Sequence, residues 1–413
     1  MGTRPPYRIL WMIMLVILAG FGSLTAYAEG TSPPPATAEH PLEQAPGSAL
    51  TDPIAGEQFE QLNLQDFDQF WDEITTEYGQ FLPPEVRGNL AELVFTGQFG
   101  TAIKGLLTGL MRFLFHELFL SSKLLGSIIC LAVFAALLES LQSAFEANNV
   151  SKIAHSILFL ALMILALNSF AMATSYASGA IQTMVDFMMA TIPMFLALLA
   201  ATGGMASAAM LHPLIVFLIH GIGDLISYIV FPLIFFSAIL TLVSQISSRY
   251  QVTQLANLMR SVAVWVMGVS FTVFLGVVSV QGAAGAVADG VSIKAAKYVS
   301  SNFVPVVGKL FSDAADTVVG ASLIVKNAVG ITGATILLLV CAFPAIKILS
   351  LALIYNISAA LMQPLGDSLI IKCLATIGKS LILVFAALAT VGFMFFLAIT
   401  VIIAAGNLSV MVR

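Results

Sequence analysis

Apolar blocks about twenty residues long recur between Leu124 and Ala405, each long enough to cross a bilayer core as a helix. A chain in lipid must satisfy its backbone hydrogen bonds within itself, so the pattern predicts an all-α fold, a polytopic transmembrane helical bundle. Composition agrees: 59% of residues are hydrophobic and 9% charged, far from a soluble balance. About eight spans are expected, near Leu124–Ser143, Ile153–Ala173, Ile181–Ala201, Ala206–Ile222, Leu225–Gln245, Val262–Gly282, Val329–Leu349 and Ser380–Ala405.

Three polar or short segments precede the bundle, which occupies 124–413. Residues 1–28 read as a cleaved signal peptide, with Arg4 and Arg8 ahead of the short apolar run Ile9–Phe21 and an Ala26-Tyr27-Ala28 cleavage pattern. An uncleaved anchor is the alternative. Residues 29–58 are rich in Pro, Ala, Glu and Ser and read as a disordered tether. Over 59–123 an extracytoplasmic amphipathic helical region is expected: Phe59, Leu62, Phe67, Phe70, Trp71 and Ile74 recur at helical spacing among acids. Thr101–Lys123 fits either a helix at the membrane interface or a soluble helix packed on its neighbours.

Charge orients the bundle. With the mature N-terminus outside, the Ser244–Ser261 loop, carrying Arg249 and Arg260, falls in the cytoplasm, and so does Gln363–Lys379 with Lys372 and Lys379. Ala283–Gly330 is apolar on average yet too charged for a lipid-facing span, and predicts a helical pair broken near Pro305, re-entrant or facing a cavity. Leu349–Met362 either extends the seventh span or lies along the interface. A shift of about 112 positions places Phe231-Pro232 on Phe343-Pro344 and Gln251 on Gln363, which raises an internal repeat without proving one.

The sequence bounds the chemistry narrowly. It carries no nucleotide-binding, protease or metal motif, so no enzyme activity, cofactor or metal is expected. Its net charge of −5 comes mostly from acids between Glu39 and Glu92, and no basic patch is present to hold nucleic acid. Cys130, Cys341 and Cys373 have no metal or disulfide spacing. His212 and His220 read as ordinary interior or interface histidines.

Ionisable groups in apolar helices must face protein, water or an interface. Asp186, Asp224, Asp289, Lys294, Lys297, Asp313, Asp316 and Lys326 are therefore the candidates for a pore or polar path. Polar contacts that fix packing are the alternative for the carboxylates. Pro193, Pro232, Pro305 and Pro344 interrupt helical sequence and are the hinge candidates.

From Phe70 onward the motifs FWDEITTEYG (from Phe70), SKLLGSII (from Ser122), LALNSF (from Leu165), FPLIFFSAIL (from Phe231) and VTQLANLMR (from Val252) stand together with LGVVSVQG (from Leu275). DAADTVVGAS (from Asp313), FPAIKILSLA (from Phe343), QPLG (from Gln363) and AAGNLSVM (from Ala404) complete the set. On these the chain resembles the stage III sporulation protein AE family of endospore-forming bacteria. The resemblance implies a multi-pass protein of the mother-cell membrane surrounding the forespore. It also implies work in a channel-like or secretion-like complex with the other stage III A sporulation proteins and, across the intermembrane space, stage II sporulation protein Q. Membrane lipid and further copies of the chain complete the expected partners. A small-molecule transporter feeding the forespore, and a non-conducting scaffold for ring-forming partners, are the other readings the residues allow.

Overall fold

The computed structural model describes residues 55–59, 62, 64–88, 90–95, 99–144, 149–246, 252–303, 307–365 and 369–411. The expected leader over 1–28 and the tether as far as residue 54 lie outside the described residues. Among the described residues the regular elements are helices, with no strand. They are α1 (Gln65–Tyr78), α2 (Leu90–Phe95), α3 (Phe99–Leu120), α4 (Ser122–Ala144), α5 (Asn149–Ala201), α6 (Met205–Leu225), α7 (Phe231–Ile246), α8 (Thr253–Phe303), α9 (Val307–Met362) and α10 (Leu369–Met411).

Among the described residues five helices are long and apolar enough to cross a membrane, or six if the bent pair α3–α4 forms one span, against the eight expected. The difference arises where the sequence was expected to turn and the helix runs on. Thr174–Ala180 contains no proline, and α5 passes through it unbroken, so Ile153–Ala173 and Ile181–Ala201 share one 53-residue helix. Likewise Ala206–Ile222 and Leu225–Gln245 join through a π-helical turn over Ile226–Val230, in which the Phe231 N–H reaches Ile226 O. That wider turn absorbs Pro232, whose missing N–H and ring would break a regular helix there.

The expected pair over Ala283–Gly330 is not a separate re-entrant unit either. It is the end of α8 and the start of α9, and the break near Pro305 falls within residues 304–306, outside the described residues. Leu349–Met362 simply extends α9.

A true reversal ends α5. Gly203 has φ 91°, the Gly203 N–H donates to Ala200 O at 2.9 Å and the Gly204 N–H to Leu199 O at 3.0 Å. This is a Schellman cap, in which the left-handed residue is almost always glycine.

Contacts along the rods fix their register. α9 and α10 run antiparallel: Asn356 lies against Gly378, Cys341 against Gly392, and Lys326 against Gly406. α5 is antiparallel to α9, with Tyr355 Oη at 2.8 Å from Ser169 Oγ and Gly333 against Phe195. α8 runs parallel to α10, with Arg260 Nη2 at 3.5 Å from Ser380 Oγ and Phe271 stacked on Phe393. The α7–α8 and α9–α10 connections therefore lie at one end, hereafter the turn end.

α10 packs against α5, α6, α7, α8 and α9 and carries much of the buried core. The rod of α6 and α7 precedes α8, and the rod α9 precedes α10, each first rod bearing proline. The second helices begin at Thr253 and Leu369, 116 positions apart (369 − 253), so the shared layout slips about one helical turn from the 112 offset.

The acidic N-terminal region packs directly on these rods. α1 buries Phe67, Trp71, Ile74 and Tyr78 and exposes Asp66, Asp68, Asp72, Glu73 and Glu77, the division its spacing predicts. Phe67 meets Phe187 and Phe195 edge-on, and Tyr78 stacks on Phe343 with ring centroids 4.0 Å apart. α3 packs on α9 through Phe113, as a soluble helix would, yet leaves Leu107, Met111, Phe115 and Phe119 exposed.

Candidate functional site

The described polar-path candidates gather at two heights on the rods. The first is a groove between α5 and α6, lined by Ile181, Gln182, Val185, His220, Gly223, Asp224, Ser227 and Tyr228. Gly223 makes it possible: Val185 and Ile181 pack against its bare Cα, so α5 and α6 approach closely there. Asp186, outside the lining itself, accepts a hydrogen bond from the lining residue Gln182 (Nε2) at 2.8 Å, one helical turn away. Asp186, His220 and Asp224 are all exposed on the outer face. The π-helical turn begins two residues after Asp224, and such turns cluster at functional sites.

The second cluster lies at the opposite end from the turns and is buried. Asp289 of α8, 2% exposed, accepts the Ala206 N–H at 2.7 Å and the Ser207 N–H at 3.1 Å. Those are first-turn donors of α6 with no partner in their own helix, and a carboxylate is favoured at that positive end. Lys326 of α9, 1% exposed, donates to Ile403 O at 2.8 Å and to Asn407 Oδ1 at 3.2 Å. A side chain at position 406 would collide with its ammonium, so Gly406 admits it. Both charges are taken up by helix backbone.

The remaining candidates are dispersed. Lys294 is exposed near the end of α8. Lys297, Asp313 and Asp316 lie on α8 and α9 with side chains outside the described residues. Pro193 and Pro344 sit inside unbroken helices. Sequence reasoning missed Gln182, Ser227, Tyr228 and Asn407, which are neutral; the i, i+4 spacing of Gln182 and Asp186 was the available signal. Among the described residues no group of His, Cys, Asp and Glu is placed to hold a metal.

Comparison with known proteins decides the family. The model of the stage III sporulation protein AE family matches residues 86–406. The stage III sporulation protein AE of Bacillus subtilis (strain 168) is 48% identical over 411 residues, covering 98% of this chain and 100% of that protein. The chain belongs to the stage III sporulation protein AE family. No solved structure matches it. The likeness to the Bacillus subtilis protein extends into the N-terminal segment that the motifs left out. Both clusters, at Asp186–Asp224 and at Asp289–Lys326, lie within the part matched by the stage III sporulation protein AE family model.

Proposed function

We propose that this chain is a non-catalytic membrane core subunit of the complex joining mother cell to forespore during endospore formation. In this reading it enters the mother-cell membrane around the forespore behind a cleaved signal peptide. It assembles there with the other stage III A sporulation proteins, in multiple copies, and meets stage II sporulation protein Q across the intermembrane space. The observation that carries the reading is the 48% identity over 98% of the chain to a stage III sporulation protein AE.

Within that reading the interior favours an assembly or platform role over a self-contained transporter. Asp289 and Lys326, the described buried charges of the far end, are bonded to helix backbone and Asn407. A substrate path needs polar groups free to exchange partners.

Complementation tests the proposal. In an endospore former lacking its own stage III sporulation protein AE, this chain expressed in the mother cell alone should restore spore yield and late forespore transcription. Rescue only by forespore expression, or none despite membrane insertion, would overturn it.

A further inference from the structure

The long rods exceed the membrane they must cross. Spans of 39 to 46 residues measure about 60 to 70 Å, twice the roughly 30 Å of hydrocarbon. Arg260, Lys372 and Lys379 mark the turn end as cytoplasmic. Counting helix rise from that end puts Lys347 at about 22 Å, Asp224 at about 33 Å, and Asp289 and Lys326 at about 54 Å.

α1 lies along α9 between Gly333 and Lys347, about 22 to 44 Å up, with five carboxylates exposed. Exposed carboxylates do not sit in hydrocarbon. α1 therefore faces water or a partner, not acyl chains. Met205 and Phe217 of α6, each 73% exposed, and Val280 of α8, 67% exposed, are left uncovered. Apolar surface of this extent is covered by lipid or by protein.

The groove at Asp224, with Asp186 beside its lining residues Gln182 and Val185, is flanked by exposed Phe217 and Tyr228. Its chemical complement lies on the same chain. Phe113 of α3 packs on Phe343, which sets the neighbouring, exposed Arg112 about 28 Å up, within about 5 Å of the groove's height. Leu107, Met111 and Phe115 flank Arg112 with exposed apolar surface. α3 packs on α9, whereas the groove lies between α5 and α6, so the two surfaces are different faces.

We propose that the Asp186–Asp224 groove and the Arg112 face of α3 are the two halves of a head-to-tail interface between copies of this chain. A second copy is the fitting occupant because the same rods hold it in the same bilayer, at the same height and orientation. In that pairing cation meets carboxylates and apolar flank meets apolar flank. Contacts of this kind repeat from copy to copy and close into a ring where the rotation per step divides the circle. The inference does not depend on conduction or on any sporulation partner.

The test uses the full-length chain expressed alone, with Cys130→Ser removing the exposed thiol. Under mild oxidation in membranes, Asp224→Cys combined with Arg112→Cys should give a ladder of linked species, and mixed single variants should give dimers. Dimers from Asp224→Cys alone would mean a symmetric contact and would overturn the proposal, as would no linkage in any combination. In parallel, Arg112→Asp should weaken association at least about tenfold, and adding Asp224→Arg should restore it. An oligomer indifferent to both reversals, or one that forms only when another sporulation protein is present, also overturns it. Complementation reads the sporulation role separately, so the two proposals fail distinguishably.

Discussion

Lys347 of α9 holds the Glu77 carboxylate of α1 at 2.9 Å, a contact between residues 270 positions apart. The same ammonium reaches Tyr78 Oη at 3.1 Å and lies within 5.5 Å of the Tyr176 ring centroid. One cation thus joins the acidic N-terminal helix to two apolar rods.

That contact makes α1 docking pH-sensitive. Burial alone would raise the Glu77 carboxyl, but hydrogen bonds from Tyr78 and Lys347 outweigh it and hold the group below its ordinary 4.5. A carboxyl lowered in the folded chain contributes stability above its unfolded value and loses it as pH falls through the folded value. Docking should therefore be constant above pH 4.5 and weaken below it, by under about 1 kcal/mol because the Glu77 side chain is 55% exposed. Trp71 of α1 is buried, so its emission in a Trp11→Phe, Trp265→Phe background reports docking. An identical acid response in Glu77→Gln would disprove the assignment.

Gly333 is the second fastening. A Cβ there would meet Phe195 at 2.6 Å and Phe67 at 3.1 Å, between two aromatic rings that are themselves buried. Gly333→Ala should cost about 1 to 3 kcal/mol and loosen α1, since neither ring has room to withdraw. Gly276→Ala, with open space at its Cβ, is the control and should be neutral or slightly stabilising. Equal effects of the two in thermal unfolding would refute the packing argument.

The α5–α6 reversal rests on one backbone conformation. Gly203→Ala forces a β-carbon into the left-handed region at φ 91° and should cost about 1 to 2 kcal/mol. Gly203→Asn should cost less, because asparagine tolerates that region. A melting temperature that drops equally for both would argue against a left-handed cap.

How much of this was legible follows from the reach of each interaction. Helices, apolar faces and the amphipathic character of α1 depend on neighbours three or four positions away, and Phe67, Trp71 and Ile74 reveal them at once. Where a helix stops is harder, because apolar sequence tolerates both turning and continuing. Thr174–Ala180 lacks any feature that forces a break, and a π turn disguises Pro232. The Lys347–Glu77 contact and the Asp289 cap link residues 270 and 82–83 positions apart, and periodicity carries no information at that range. Asp186 and Asp224 are conspicuous by charge, but the groove that Asp224 lines with Gln182, the hydrogen-bond partner of Asp186, depends on the pairing of α5 with α6.

Asp289 and Lys326 offer the sharpest separation of a structural role from a conducting one. Asp289→Ala leaves the Ala206 and Ser207 N–H groups without their carboxylate in a site where Ser207 is itself buried and its Oγ already has no partner. The loss should be about 1 to 3 kcal/mol for each stranded donor, with Asp289→Asn intermediate because its amide oxygen serves one of them. Lys326→Met removes the buried cation along with its need for partners and, at similar volume, should be neutral or stabilising. Asn407→Leu leaves the ammonium one acceptor short and should destabilise. Thermal unfolding of the four variants in detergent, set beside spore yield, reads both roles. If Lys326→Met abolishes sporulation while raising the melting temperature, the ammonium acts in transport and the packing assignment falls.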